Sequence, residues 1–102
     1  MDSETRLLYW LFYASRGGPT RLRIVKTLLR KPLNMHQLAL TTGLDYKTVQ
    51  GHIKILLENG VVEQLKKGYG AIYFINEGWN DNEYFNTILR GDYDGKKERK
   101  KG

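Results

Sequence analysis

Residues 34–60, NMHQLALTTGLDYKTVQGHIKILLENG, hold two helical patterns separated by a glycine and a capping aspartate. In the first, Asn34 followed by Gln37 matches a capping box: the Asn side chain accepts from backbone N–H, and the Gln side chain reaches back to the cap. The helix it opens is expected to bury Leu38, Ala39 and Met35 and to stop at Gly43. Asp45 then caps a second helix, with Val49, Ile53, Leu56 and Leu57 at core spacing and Asn59-Gly60 closing it. Two helices joined by so short a turn, the second amphipathic and basic, read as a helix-turn-helix.

Upstream, Thr20 to Arg30 carries Leu22, Ile24, Val25, Leu28 and Leu29, which fits a helix with one buried face. Lys31-Pro32 ends it, and Leu33 fits a short strand. Gly17-Gly18-Pro19 breaks the chain before it, with Pro19 suited to a first helical turn. Further back, Ser3 is the expected cap of a helix running through LLYWLFYA. Its apolar residues occupy every face of the helical wheel, so it must be covered on more than one side. In a chain of 102 residues a second subunit is the expected cover.

Downstream, Val61 to Leu65 and Ala71 to Ile75 are β-rich runs joined by Lys66-Lys67-Gly68-Tyr69-Gly70, a hairpin with a basic, glycine-containing tip. Asp81 is the expected cap of a short helix with Tyr84, Phe85, Ile88 and Leu89 on one side, ended by Gly91. The last stretch, DGKKERKKG, has no apolar anchor and is expected to be disordered. The fold class is therefore mainly α with a small β-hairpin (α+β): a winged helix-turn-helix with flanking N- and C-terminal helices. The divisions fall at 1–17 (apolar helix, dimerisation), 18–75 (winged helix), 76–91 (second flanking helix, dimerisation) and 92–102 (charged tail).

The charge is placed as this reading requires. Residues 19–75 hold nine Lys/Arg against three acids, an excess of six that equals the whole net charge of +6; the segments on either side balance. A polyanion is the natural partner of such a module. With no cysteine, disulfides, thiolate metal sites and cysteine nucleophiles are excluded. The start MDSETR is acidic, unlike a secretory leader. The apolar run Leu7 to Ala14 is far short of the roughly 20 residues a membrane span needs. The expectation is a cytoplasmic, nucleoid-associated protein without membrane contact.

The segments GGPTRLRIVKTLL, GLDYKTVQGHIKILLENGVV and KKGYGAIYFI, together with the capped helix between the first two, resemble the archaeal branch of the ArsR-like winged helix-turn-helix transcriptional regulators, over roughly residues 18–75. TVQGHIKILLENGVV is the most specific part. The resemblance implies a homodimer on double-stranded DNA with the flanking helices forming a two-fold interface; the apolar residues available for it are Leu7, Leu8, Trp10, Leu11, Tyr84, Phe85, Ile88 and Leu89, and the alternative is that both helices fold back on their own winged helix. Metal sensing does not carry over. Many regulators of this kind sense metal through recognition-helix cysteines or His/Asp sites near the chain end, whereas this chain has no cysteine and Asp81, Asp92 and Asp94 come with no histidine.

In a helix-turn-helix the second helix enters the major groove. The positions of that helix not claimed by Val49, Ile53 and Leu56 are Tyr46, Lys47, Thr48, Gln50, Gly51 and Lys54. Lys47 has the chemistry to donate to guanine, Gln50 to make a two-point contact with adenine, and Thr48 to touch a phosphate or a thymine methyl. Gly51 permits close approach. The wing offers Lys66, Lys67 and Tyr69, the lysines as phosphate contacts. Arg21, Arg23 and His52 are further candidates for phosphate, with solvation or hydrogen bonding inside the domain as the alternative. His36 is expected to be exposed. Two histidines without ligand spacing make no metal site, and no cofactor, small-molecule effector or catalytic motif is identifiable. Two other readings share the fold: an architectural DNA-binding protein of low specificity, and a protein–protein module in which the charge is incidental.

Overall fold

The computed structural model describes residues 2–67 and 70–90. The first helix, α1 (Ser3–Tyr9), continues without a break into a π-helical segment, Trp10–Ala14. Its cap is Asp2, whose carboxylate accepts from the Thr5 backbone N–H at 2.8 Å. Ser3 was the expected cap. Both residues are competent, and the extended backbone of Asp2 (ψ 171°) decides between them.

Helix α2 (Gly18–Arg30) follows, with Pro19 in its first turn. Then come strand β1 (Leu33–Asn34), helix α3 (Met35–Thr42) and helix α4 (Tyr46–Glu58). The capping box at Asn34 is complete: Gln37 N–H donates to Asn34 Oδ1 at 2.8 Å, and Asn34 N–H to Gln37 Oε1 at 2.9 Å. Gly43 closes α3 in the left-handed conformation (φ 74°), which sets up the turn into α4. Asp45 caps α4 by accepting from the Thr48 N–H at 3.0 Å. Val49, Ile53 and Leu56 face inward from α4 and are buried, as their spacing predicts; Leu57 is half-buried.

Strands β2 (Val62–Lys67) and β3 (Gly70–Ile75) pair antiparallel, and β3 also pairs with β1, giving the sheet order β1-β3-β2. The ladder runs further than the sequence reading had it: Lys66 pairs with Ala71 and Lys67 with Gly70, so the basic residues belong to the strands. Gly68, Tyr69 and the Lys67 side chain lie outside the described residues, as do Gly91 and the tail at 92–102.

Beyond the sheet, a 3₁₀ turn (Glu77–Trp79) that the sequence reading missed locks the C-terminal segment in place. The Trp79 indole N–H and the Asn76 amide both donate to the Gly60 carbonyl at 3.0 Å. The Trp79 ring packs against Phe85, with centroids 5.6 Å apart. Helix α5 (Glu83–Arg90) is capped by Asn82, not Asp81: Phe85 N–H donates to Asn82 Oδ1 at 2.9 Å.

The flanking helices differ from expectation in one respect that matters for assembly. Leu8 and Leu11 on the N-terminal helix, and Phe85 and Ile88 on α5, join Ile24, Val25, Leu38, Val49, Ile53 and Leu56 in a single core within the protomer. These four were expected at a subunit interface. They are consumed at home because α1 packs on α5 and the π-helical segment packs on α2. What remains outside is aromatic: Tyr9 (43% exposed), Trp10 (46%) and Tyr13 (37%), with Leu7, Tyr84 and Leu89 half-buried. No helix among the described residues is long and apolar enough to cross a membrane.

Candidate nucleic-acid interface

Helix α4 is two-faced. Opposite its buried Val49, Ile53 and Leu56, all six expected groove-facing residues, Tyr46, Lys47, Thr48, Gln50, Gly51 and Lys54, are exposed. Apart from its chain neighbours and the helix's own backbone, nothing lies within 4 Å of where a Cβ on Gly51 would stand, so the helix surface there is open. The six are not equivalent. The Thr48 hydroxyl donates to Asp45 Oδ2 at 3.1 Å, so its one proton is already engaged and its methyl is the part free to meet a base. The same two bonds, from the Thr48 backbone first and its hydroxyl second, hold the Asp45 carboxyl below its ordinary pKa. Lys54 pairs with Glu58 at 2.9 Å on the open surface. Exposed pairs of this kind contribute about 0–1 kcal/mol, so a phosphate can take the ammonium over.

Beside this face runs a cleft of about 560 Å³ between the helix-turn-helix and the sheet. Tyr46 and Gln50 form one wall, Asn34 and His36 a second, and Gln64, Lys66 and Tyr73 a third. The sheet register explains the third wall. Gln64 pairs with Tyr73 and Lys66 with Ala71, and residues two apart on a strand share a face, so all four point the same way. Burial, and then the nearby Tyr46, push the Tyr73 phenol up from its ordinary pKa. Gln64 and Tyr73 were missed from the sequence. The period-2 alternation that groups them with Lys66 was legible, but which face turns toward α4 was not.

The three residues named as further phosphate contacts fare differently. Arg21 is only 2% exposed, and its guanidinium is spent inside the protomer on the Leu11 carbonyl (3.0 Å), the Ser15 hydroxyl, the Arg16 carbonyl (3.3 Å) and His52. Burial lowers its pKa from the usual value. A phosphate contact from Arg21 is therefore ruled out by geometry. His52 is half-buried and faces Arg21 Nη1 through Nδ1 at 3.2 Å, which is the alternative of hydrogen bonding within the domain. Arg23 is at the surface and donates to the Thr42 carbonyl, tying α2 to the C-terminal end of α3. Lys66 is exposed on β2. Among the described residues no three His, Cys, Asp or Glu side chains converge as a metal site would require.

Residues 18–64 match the family described as bacterial regulatory protein, arsR family. No curated protein sequence matches the chain. Several solved structures do. Rv0081 from Mycobacterium tuberculosis is 20% identical, with a TM-score of 0.70 over 97% of this chain and 98% of that one. The domain Mb0332 from Mycobacterium bovis, described as a homodimeric winged helix-turn-helix DNA-binding domain, is 19% identical, with a TM-score of 0.68 over 87% and 80% of the two chains. The transcriptional repressor BigR from Xylella fastidiosa is 20% identical, with a TM-score of 0.66 over 88% and 80%. At such identities these likenesses establish the fold. Residues 18–64 match the arsR-family model, and the chain has the winged helix-turn-helix fold.

Proposed function

We propose that this chain is a sequence-specific, double-stranded-DNA-binding transcriptional regulator that acts as a homodimer, with α4 in the major groove and the wing on the backbone or minor groove. The observation that carries this reading is the two-faced recognition helix. One side is fixed in the core, and the other presents Tyr46, Lys47, Gln50 and Lys54 to solvent, in the module that holds the whole net positive charge. The adjoining cleft, with Lys66 on its sheet wall, extends that surface toward the wing. The repressor BigR and the homodimeric DNA-binding domain Mb0332 share the fold, which supports both parts of the reading.

The dimer interface we assign to the uncovered side of the N-terminal helix, around Tyr9, Trp10 and Leu7, with Tyr84 and Leu89 of α5 at its margin. Three exposed aromatic rings on one terminal helix are the kind of surface a second copy covers. In this reading the protein works on the nucleoid in the cytoplasm, holds no cofactor, and resembles the archaeal branch of these regulators.

The test is fluorescence anisotropy across a salt series, comparing a duplex selected from a random pool with an unselected duplex. A selected palindrome bound about 1000-fold more tightly than the unselected duplex is the expected result. Equal, steeply salt-dependent binding of both would assign the chain to the architectural class instead. Absence of binding at low salt would move the search to a protein partner.

A further inference from the structure

Arg21 stands where three segments meet. From α2 it donates through Nε to the Leu11 carbonyl in the π-helical end of the first helix, and through Nη2 to the Ser15 hydroxyl and the Arg16 carbonyl in the linker. Its guanidinium lies 5.6 Å over the Trp10 ring. Its remaining nitrogen, Nη1, faces His52 Nδ1 on α4 at 3.2 Å. One buried side chain thus ties the aromatic N-terminal helix to the back of the recognition helix.

The chemistry of this joint is one-sided. A guanidinium has only donors, so His52 Nδ1 is the acceptor and the imidazole is neutral, with its proton on Nε2. Protonated His52 would set N–H against N–H and place a second cation 3.2 Å from the first. The influences on the His52 ring, burial first and the Arg21 charge second, both oppose its protonation. The surroundings are close and uncharged. A Cβ on Gly17 would stand 2.7 Å from His52 Cε1, so the linker backbone passes directly over the ring. Arg16 meets the joint through its carbonyl. On α4 itself the neighbours one turn away, Thr48, Val49, Ile55 and Leu56, carry no charge.

We propose that His52, acting through Arg21, positions the recognition helix against the N-terminal helix, and that protonation of His52 releases this joint and weakens DNA binding. The inference rests on the DNA-binding reading above. Desolvation, and then the Arg21 charge, lower the His52 pKa below its ordinary 6.5. The joint is therefore intact near neutrality. Its contribution is fully present above 6.5 and is lost as pH falls through the lowered native value. The sign separates the joint from ordinary electrostatics. Acidification by itself only makes a protein more positive, and more positive charge strengthens binding to a polyanion.

The experiment compares the full chain with its His52→Asn variant, whose amide oxygen accepts from Arg21 at any pH. Anisotropy of a rhodamine-labelled duplex of mixed sequence would be read at constant ionic strength between pH 7.5 and 5.5. The His52 Cε1–H resonance would be followed by NMR in the same buffers, and circular dichroism would monitor the fold. We expect wild-type affinity to fall about fivefold or more on acidification, with the midpoint of His52, as a coupling of ordinary size would give. The variant should match wild type at pH 7.5 and then hold or tighten. Wild-type binding that strengthens or stays level while His52 titrates overturns the proposal, as does the same fall in the variant or global unfolding in this range. Should the variant not fold, the sign and midpoint of the wild-type profile decide. Absence of DNA binding at both pH values, with His52 still titrating, overturns the DNA reading and this inference with it.

Discussion

Lys47 stands on the first turn of α4 with its side chain in solvent, one residue before Thr48 engages the Asp45 cap. That location makes it the cation most able to reach a base edge. Lys47→Ala should cost about 1–3 kcal/mol on the preferred duplex and relax the preference at one base pair, measured by competition against single-position variants of the site. Uniform weakening across all sequences would demote Lys47 to a phosphate contact. Lys66, a compact charge on β2, should behave in that second way: Lys66→Ala lowers affinity for every duplex and flattens the slope of log affinity against log salt by about 1. An unchanged slope would show that this strand does not touch DNA. The caps of α3 and α4 were legible at this scale, because a cap is a contact between residues three apart. The fate of Arg21 was not, because its partners Leu11 and His52 lie 10 and 31 residues away.

At the scale of elements, the N-terminal helix carries the sharpest contrast. Leu11 is fully buried within the protomer, whereas Tyr9 on the same helix is 43% exposed. Leu11→Glu buries an unpaired charge and should unfold the protein or lower its stability by more than about 4 kcal/mol, visible as a lost or much reduced thermal transition. Tyr9→Glu should instead leave the transition largely in place and shift the species in sedimentation equilibrium from dimer to monomer. A folded dimer after Tyr9→Glu would remove this face from the interface. The sequence showed that the helix was apolar all round and needed more than one cover. It did not show that α5 and α2 supply the first of those covers.

For the whole molecule, a two-fold dimer of winged helices places its recognition helices about 34 Å apart, one turn of DNA. The preferred site should then be a palindrome. Inserting about 5 base pairs between its halves turns them to opposite sides of the duplex. Affinity for the altered site should drop to that of one half-site alone, as read by anisotropy on the two duplexes. Retained affinity would mean that each protomer binds independently. The confinement of net charge to residues 19–75 belongs to this scale as well, since its field attracts a polyanion to that module and not to the balanced segments flanking it.

The sequence by itself determined the helix-turn-helix, its caps, the wing and the exposed face of α4. Each of these depends on local periodicity or on contacts a few residues apart. Only the tertiary structure decided which apolar residues of the flanking helices a single protomer keeps for itself. It also decided that Trp79 and Asn76 pin the C-terminal segment to Gly60, and that Arg21 turns inward to meet His52. Those outcomes hang on which helix faces meet across the core, and a chain of competent donors and apolar side chains does not encode that meeting in any one stretch.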